Sequence, residues 1–160
     1  MREKIYKPKK KFMELAIKEA GRGKKNNEWF FGAVIVKNNR VVVKSNNTVL
    51  RNNDPSGHAE ISAMRKAGKK LKSKYLTDCI LYSTHEPCCM CAGAAVWADM
   101  KGIVFGANVK DLEQHFNKSG IPIKFYISAQ EIIKRKYPRN IFLIKNFMRK
   151  ECKELFKLYK

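Results

Sequence analysis

Two short stretches of this 160-residue chain concentrate side chains that bind metals and move protons: His58-Ala59-Glu60 and Pro87-Cys88-Cys89-Met90-Cys91. Imidazole nitrogen and thiolate sulfur are preferred donors for zinc, which they hold in a tetrahedron. Cys88 and Cys91 stand three apart at the start of an expected helix, so both lie on one face and reach one ion. His58 adds a third donor from a neighbouring helix start. Three protein donors leave the fourth position to water, the pattern of a catalytic and not a structural zinc. The two helix N-termini help to keep the thiols ionised. Glu60, two residues after His58, points away from the donor position toward that water or a substrate. Water at such a metal is acidified to near neutrality, so hydroxide is available at ordinary pH. A carboxylate beside it takes the water proton and passes it to a ring nitrogen and then to a departing amine. Spacing alone gives a zinc-dependent hydrolase, and loss of an amine from a heterocycle is one reaction this set of groups suits. Each part alone has a plainer reading: a helix-capping histidine, half of a structural zinc site, or a redox pair. Only the combination with Glu60 carries the enzymatic one.

The elements that must position these residues follow from periodicity and turn chemistry. Apolar residues at Phe12, Leu15 and Ala16 predict a short amphipathic helix over Lys10–Ala20, ended by Gly21-Arg22-Gly23. Phe30–Val36 reads as a buried strand. Asn38-Asn39 is a turn signal, and Arg40–Lys44 returns as the second strand of a hairpin. Asn46–Gly57 is expected to be a polar loop, His58 to about Leu71 a helix, and Asp78–Ser83 a strand. Pro87 precedes an Ala-rich helix over Cys88–Ala98, and Gly102–Ala107 is again a strand. Beyond it the pattern predicts a helical turn at Asp111–Phe116, a strand at Ile121–Ile127, and a helix over Ser128–Arg135 capped by Ser128. A short strand at Asn140–Ile144 and a basic helix over Asn146–Tyr159 complete the chain. Strands alternating with helices after a hairpin predict one α/β domain over residues 1–160, a three-layer α/β/α sandwich with a central mixed sheet. The composition, 44% hydrophobic and 30% charged, excludes a wholly disordered chain.

Thirty-four basic against 14 acidic side chains give a formal net charge of +20. Residues 1–25 and 131–160 each carry ten basic and three acidic groups, net +7 apiece. These basic ends suit a phosphate-bearing partner, and a Lys-rich solvated surface accounts for them as well. No apolar run approaches the length of a membrane span, and a secretory signal is not expected. Five cysteines, three of them within four positions, make a poor disulfide framework and favour a reducing cytoplasm. Cys79 and Cys152 read as core or surface thiols.

His-x-Glu followed by Pro-Cys-x-x-Cys is the signature of zinc nucleobase deaminases. From about Phe31 to Ala107 the chain resembles the cytidine deaminase-like superfamily in its motif order: hairpin, His-Ala-Glu helix, strand, Glu-Pro-Cys-x-Met-Cys helix, strand. The resemblance implies one zinc (Zn2+) per chain held by His58, Cys88 and Cys91, Glu60 as catalytic proton shuttle, and a homodimer. Cys89 is not a donor in this pattern; many relatives carry Pro there.

Within the superfamily the chain is most similar to the branch holding guanine deaminase and tRNA adenosine deaminase. Phe31–Lys37, Asn53–Glu60 and Glu86–Ala94 carry that similarity, although Gly57 stands where Ala is commoner. Asn47 matches the Asn that contacts the purine or its sugar in that branch, and a loop Asn capping a turn is its plainer reading. Trp97-Ala98 resembles guanine deaminases. The Arg-Ile pair and Gly-Ala-x-Gly-Ser stretch usual in the tRNA enzymes are replaced by Met100-Lys101 and Asn108–Asp111. A small-molecule purine substrate of the guanine type is therefore the first expectation, and the wobble adenosine of a tRNA is the second. An idle RNA-binding module of the same fold is the alternative of another class. Phe116, Phe125, Tyr126 and Phe147 are candidates to hold flanking bases, or are simply core. Tyr159 only loosely matches the C-terminal aromatic lid of guanine deaminase.

Overall fold

A computed structural model describes residues 6–118, 126–135 and 141–158. Five strands among them form one sheet in the order β2-β1-β3-β4-β5, with β1 at Gly32–Lys37, β2 at Arg40–Asn46, β3 at Cys79–His85, β4 at Gly102–Ala107 and β5 at Phe142–Ile144. β1 pairs antiparallel with β2 and β3, whereas β3, β4 and β5 run parallel, so the sheet is mixed. Asn38 and Asn39 both adopt positive φ (49° and 60°), the backbone a tight hairpin between β1 and β2 demands.

Alternate residues of the central strands feed two cores. Ala33, Ile35, Leu81 and Ile103 pack against α3 (Ala59–Leu71) and α4 (Cys89–Trp97). Val34, Val36, Ile80, Tyr82 and Val104 pack against α1 (Lys10–Lys25) and the C-terminal segment. Strands buried on both faces read as continuous apolar runs, which is why Phe30–Val36 and Asp78–Ser83 stand out in the sequence. The result is the three-layer α/β/α sandwich, and its parallel strand ends and crossover helices carry the site.

Four expectations are corrected. α1 does not stop at Gly21-Arg22-Gly23 but continues to Lys25. Gly23 serves a close approach: a Cβ there would lie 3.1 Å from Asn46 Cβ and 3.2 Å from the Trp29 carbonyl. The chain turns instead at Asn27, with φ 58°. The polar loop before His58 contains a short helix, α2 (Val49–Asn52), because the buried Glu28 carboxylate accepts the N–H groups of Leu50 and Arg51. The turn expected at Asp111–Phe116 is a longer helix, α5 (Val109–Lys118), closed at its start by reciprocal bonds between Asn108 and Asp111. The last helix cannot begin at Asn146, since Asn146 and Met148 are left-handed; α7 spans Arg149–Glu154 and tightens to a 3-10 turn at Leu155–Leu158.

The helix expected after Ser128 is α6 (Ala129–Lys134), and Ser128 and Glu131 form a full capping box. Of the strand expected at Ile121–Ile127, residues 121–125 lie outside the described residues, and Tyr126 and Ile127 belong to no strand. Phe125 and Tyr159 also lie outside them. Phe116 is core, Phe147 is packed against the same core, and Cys79 and Cys152 are buried. Among the described residues no helix is long and apolar enough to cross a membrane.

Candidate functional site

His58 and Cys88 are the residues just before α3 and α4, both in extended backbone, so each side chain projects from a helix start. Two helices crossing the same sheet face at the same end bring these starts together. His58 is held by its N–H on the Ser56 carbonyl (2.8 Å), after a turn in which Thr48 donates both its N–H (2.7 Å) and its hydroxyl (3.1 Å) to the Gly57 carbonyl.

His58 Nδ1 lies 3.6 Å from Cys88 Sγ and 3.6 Å from Cys91 Sγ, and the sulfurs are 3.7 Å apart. A tetrahedral zinc with bonds of about 2.3 Å to sulfur and 2.0 Å to nitrogen has edges of about 3.8 Å between sulfurs and about 3.5 Å from sulfur to nitrogen. The three atoms therefore outline one face of a zinc tetrahedron, and the donor set fits the metal. The thiols are unequal. Cys88 is pushed down to about 4, first by its hydrogen bond with Cys91 and then by His58, whereas Cys91 is pushed up by Cys88 and by burial. Both thiols must be thiolates once a zinc ion is bound.

Glu60 lies in the first turn of α3 and is buried. Its Oε1 accepts the Ser83 hydroxyl at 3.1 Å, and its Oε2 lies 3.7 Å from Cys91 Sγ. Burial raises its proton affinity, partly opposed by His58.

These groups open into a cavity of about 150 Å³. His58, Glu60 and Cys88 form its floor, and Phe31, His85, Glu86, Val109, Leu112, Tyr126 and Ile127 are prominent in its walls, with half-buried Cys89 among the lining groups. His85 has its ring nitrogens 3.1 Å from the Glu86 and Asn108 carbonyls, and burial pushes it down to about 4. A neutral ring donates to one of those carbonyls only.

The structure thus brings together His58, Glu60, Cys88 and Cys91. Asn47 is buried, its Oδ1 accepts the Val49 N–H at 3.0 Å, and it is not among the residues lining the cavity. Sequence reasoning did not single out Phe31, His85, Glu86, Val109, Leu112 and Ile127 as parts of a site. Glu86 adjoins the cysteine motif and was within reach, whereas Val109 and Leu112 carry no local signal.

The model of the cytidine and deoxycytidylate deaminase zinc-binding region matches residues 6–107. A tRNA-specific adenosine deaminase of Buchnera aphidicola subsp. Schizaphis graminum is 33% identical over 144 residues, 90% of this chain and 88% of that protein. The guanine deaminase of Bacillus subtilis is 48% identical over 81 residues, 51% of this chain and 52% of that one. The structure of guanine deaminase from Nitrosomonas europaea superposes with a TM-score of 0.81 at 20% identity, covering 98% of this chain and 86% of that chain, which shows a shared fold. With a family match across the motif-bearing residues and a zinc-shaped donor set, the chain belongs to the cytidine and deoxycytidylate deaminase zinc-binding family and is a zinc-dependent deaminase.

Proposed function

We propose that the substrate is a free purine base of the guanine type, deaminated hydrolytically with release of ammonia by one domain spanning residues 1–160. The observation that carries this reading is the cavity itself. At about 150 Å³ it matches the space that accommodates a single small aromatic molecule. Phe31, Val109, Leu112 and Ile127 offer apolar faces to such a ring, and Glu60 waits at the floor.

His58, Cys88 and Cys91 are the ligands in this reading. Zinc held there would supply positive charge that acidifies water. Glu60 does the proton work: as a buried carboxylate of raised proton affinity it takes a proton from the attacking water. It then delivers protons to the ring nitrogen and to the leaving amine, so C–NH2 plus water becomes C=O plus ammonia. Ser83 holds Oε1 and leaves Oε2 facing the metal side. Asn47 is the candidate substrate-binding residue; its backbone N–H donates to the carbonyl of the cavity residue Phe31 at 3.2 Å, and its Oδ1 is taken by the Val49 N–H.

A second reading, the wobble adenosine of a tRNA, is favoured by two observations: the Buchnera tRNA-specific adenosine deaminase spans nearly the whole chain, and the net charge is +20. Ammonia release by the zinc-loaded protein on guanine and on a tRNA with a wobble adenosine, in the same salt, separates the two. Turnover of guanine alone supports the first; turnover of the tRNA alone overturns it.

A homodimer belongs to the proposal. α4 (Cys-Met-Cys-Ala-Gly-Ala-Ala-Val-Trp) carries no charged residue, yet Trp97 is 86% exposed and Gly93 has open space at its Cβ position. A single-chain mass in solution would end it. Five free cysteines accord with a cytoplasmic location.

A further inference from the structure

The cavity's outer wall is built from two helix starts far apart in sequence. Val109 and Leu112 come from the first turns of α5, and Tyr126 and Ile127 lead into α6. Each start is closed on itself, by the Asn108–Asp111 pair at α5 and by the Ser128–Glu131 box at α6. The start of α5 is also held through the Asn108 carbonyl on His85 and through Asp111 on Arg149 and Lys153, and α6 through buried Ala129 and Ile133. Glu86 alone links the two starts to each other and to the segment before Cys88 among the bonds of the described residues. It sits one residue before Pro87 and two before Cys88, and its own N–H is fixed on the Ala107 carbonyl at 2.8 Å. Its Oε2 accepts the Val109 N–H and its Oε1 the Ala129 N–H, both at 3.3 Å. One carboxylate thus holds the first N–H of α5 and the first N–H of α6, groups that have no partner within their own helices. At 3.3 Å both bonds are long for N–H···O contacts, so the link lies in one carboxylate being shared by two helix starts and not in the strength of either bond.

We propose that Glu86 is a positioning and specificity-determining residue: it straps both halves of the outer wall to the floor and so sets how wide a substrate the cavity admits. The inference takes its substrate from the free-base reading, and its geometry stands independently. Glu86 is part of the cavity wall and its carboxylate bonds to Val109 and Ala129, not to the zinc donors or Glu60, so its loss widens the cavity while leaving those groups in place.

Cys89 provides a probe that needs no substrate. It lines the same cavity and is half-buried, while Cys79 and Cys152 are buried in the two cores. The experiment labels the zinc-loaded full chain with iodoacetamide and with a bulky maleimide, and follows each cysteine by mass spectrometry. In Glu86→Ala the maleimide rate at Cys89 rises about tenfold, as expected for the loss of two hydrogen bonds, while iodoacetamide changes little and zinc content holds. Glu86→Gln, which keeps an acceptor oxygen, falls between. Ala129→Pro deletes one of the two N–H donors without touching Glu86; Ser128 already has φ −64° and ψ 148°, which suit a residue before proline. It shifts labelling in the same direction. With guanine, KM rises about tenfold in Glu86→Ala and kcat stays within about threefold.

Unchanged maleimide labelling of Cys89 in Glu86→Ala and Ala129→Pro overturns the proposal. So does a parallel rise at Cys152, which would mean general loosening. If the wild-type protein ignores guanine, the substrate reading fails, and the labelling still decides the role of Glu86.

Discussion

Gly57 is the residue through which the loop before α3 controls the metal centre, and Gly57→Ala measures that control. An added Cβ would stand 2.8 Å from Thr48 Oγ1, 3.0 Å from the Asp54 carbonyl oxygen and 3.1 Å from Thr48 carbonyl carbon. Ordinary contact begins at 3.4 Å, so the first clash is 0.6 Å deep, and two of the three atoms are backbone that cannot rotate away. Overpacking of this kind costs about 1–3 kcal/mol, and the backbone contacts place this case near 2 kcal/mol. Gly57 immediately precedes His58, whose Nδ1 lies 3.6 Å from both sulfurs. Metal bonds tolerate displacements of roughly 0.2 Å, so a shift of a few tenths lowers zinc affinity by about tenfold to a hundredfold. Competition with a chromophoric chelator reads the affinity; urea unfolding with and without zinc reads the stability. Thr48→Ala removes the oxygen in the way and itself costs about 1 kcal/mol through lost bonds to Gly57 and Ser62. In that background the cost of Gly57→Ala should shrink by about 1 kcal/mol. A Gly57→Ala protein within about 0.5 kcal/mol of wild type and with unchanged zinc affinity would refute the reasoning.

Glu60→Gln should retain zinc and lose about 10²- to 10⁴-fold in kcat, checked by metal analysis beside ammonia release; full activity with zinc bound removes Glu60 from proton transfer. Cys88→Ser should lower the zinc content of the purified protein and its thermal midpoint together, measured by atomic emission and calorimetry. His85 is buried with its proton affinity pushed down to about 4. The unfolded chain binds this proton below about pH 6.5, where the folded state does not until about 4. Stability therefore falls as pH drops from 6.5 to 4, by about 3 kcal/mol from this residue at the lower end. His85→Gln should flatten urea-unfolding stability across that window, and an unchanged slope would show that the ring is not held neutral.

Three of the four corrections rest on features that residue patterns do not show. Gly23 reads as a helix stop, yet its function is the close approach of Asn46 and the Trp29 carbonyl, elements that meet it only in three dimensions. α2 looks like polar loop because the carboxylate that satisfies its first N–H groups belongs to Glu28, more than twenty residues away. The start of the last helix is moved by Met148, whose left-handed backbone nothing local announces.

What the sequence alone determined is whatever depends on residue type at short range. The two-sided burial of the central strands is written as unbroken apolar runs, and the hairpin as Asn-Asn. The donor set is carried by His58, Cys88 and Cys91 with Glu60 two places on, because a helix start needs only local spacing to aim its side chains together. Only the tertiary structure decided the distances that make those atoms one face of a tetrahedron. It also decided which residues enclose the substrate. Val109, Leu112, Tyr126 and Ile127 have no pattern in common. They become one wall because parallel strands β3 and β4 end side by side, and because the Glu86 carboxylate at the end of β3 reaches helix starts more than twenty and forty residues further on.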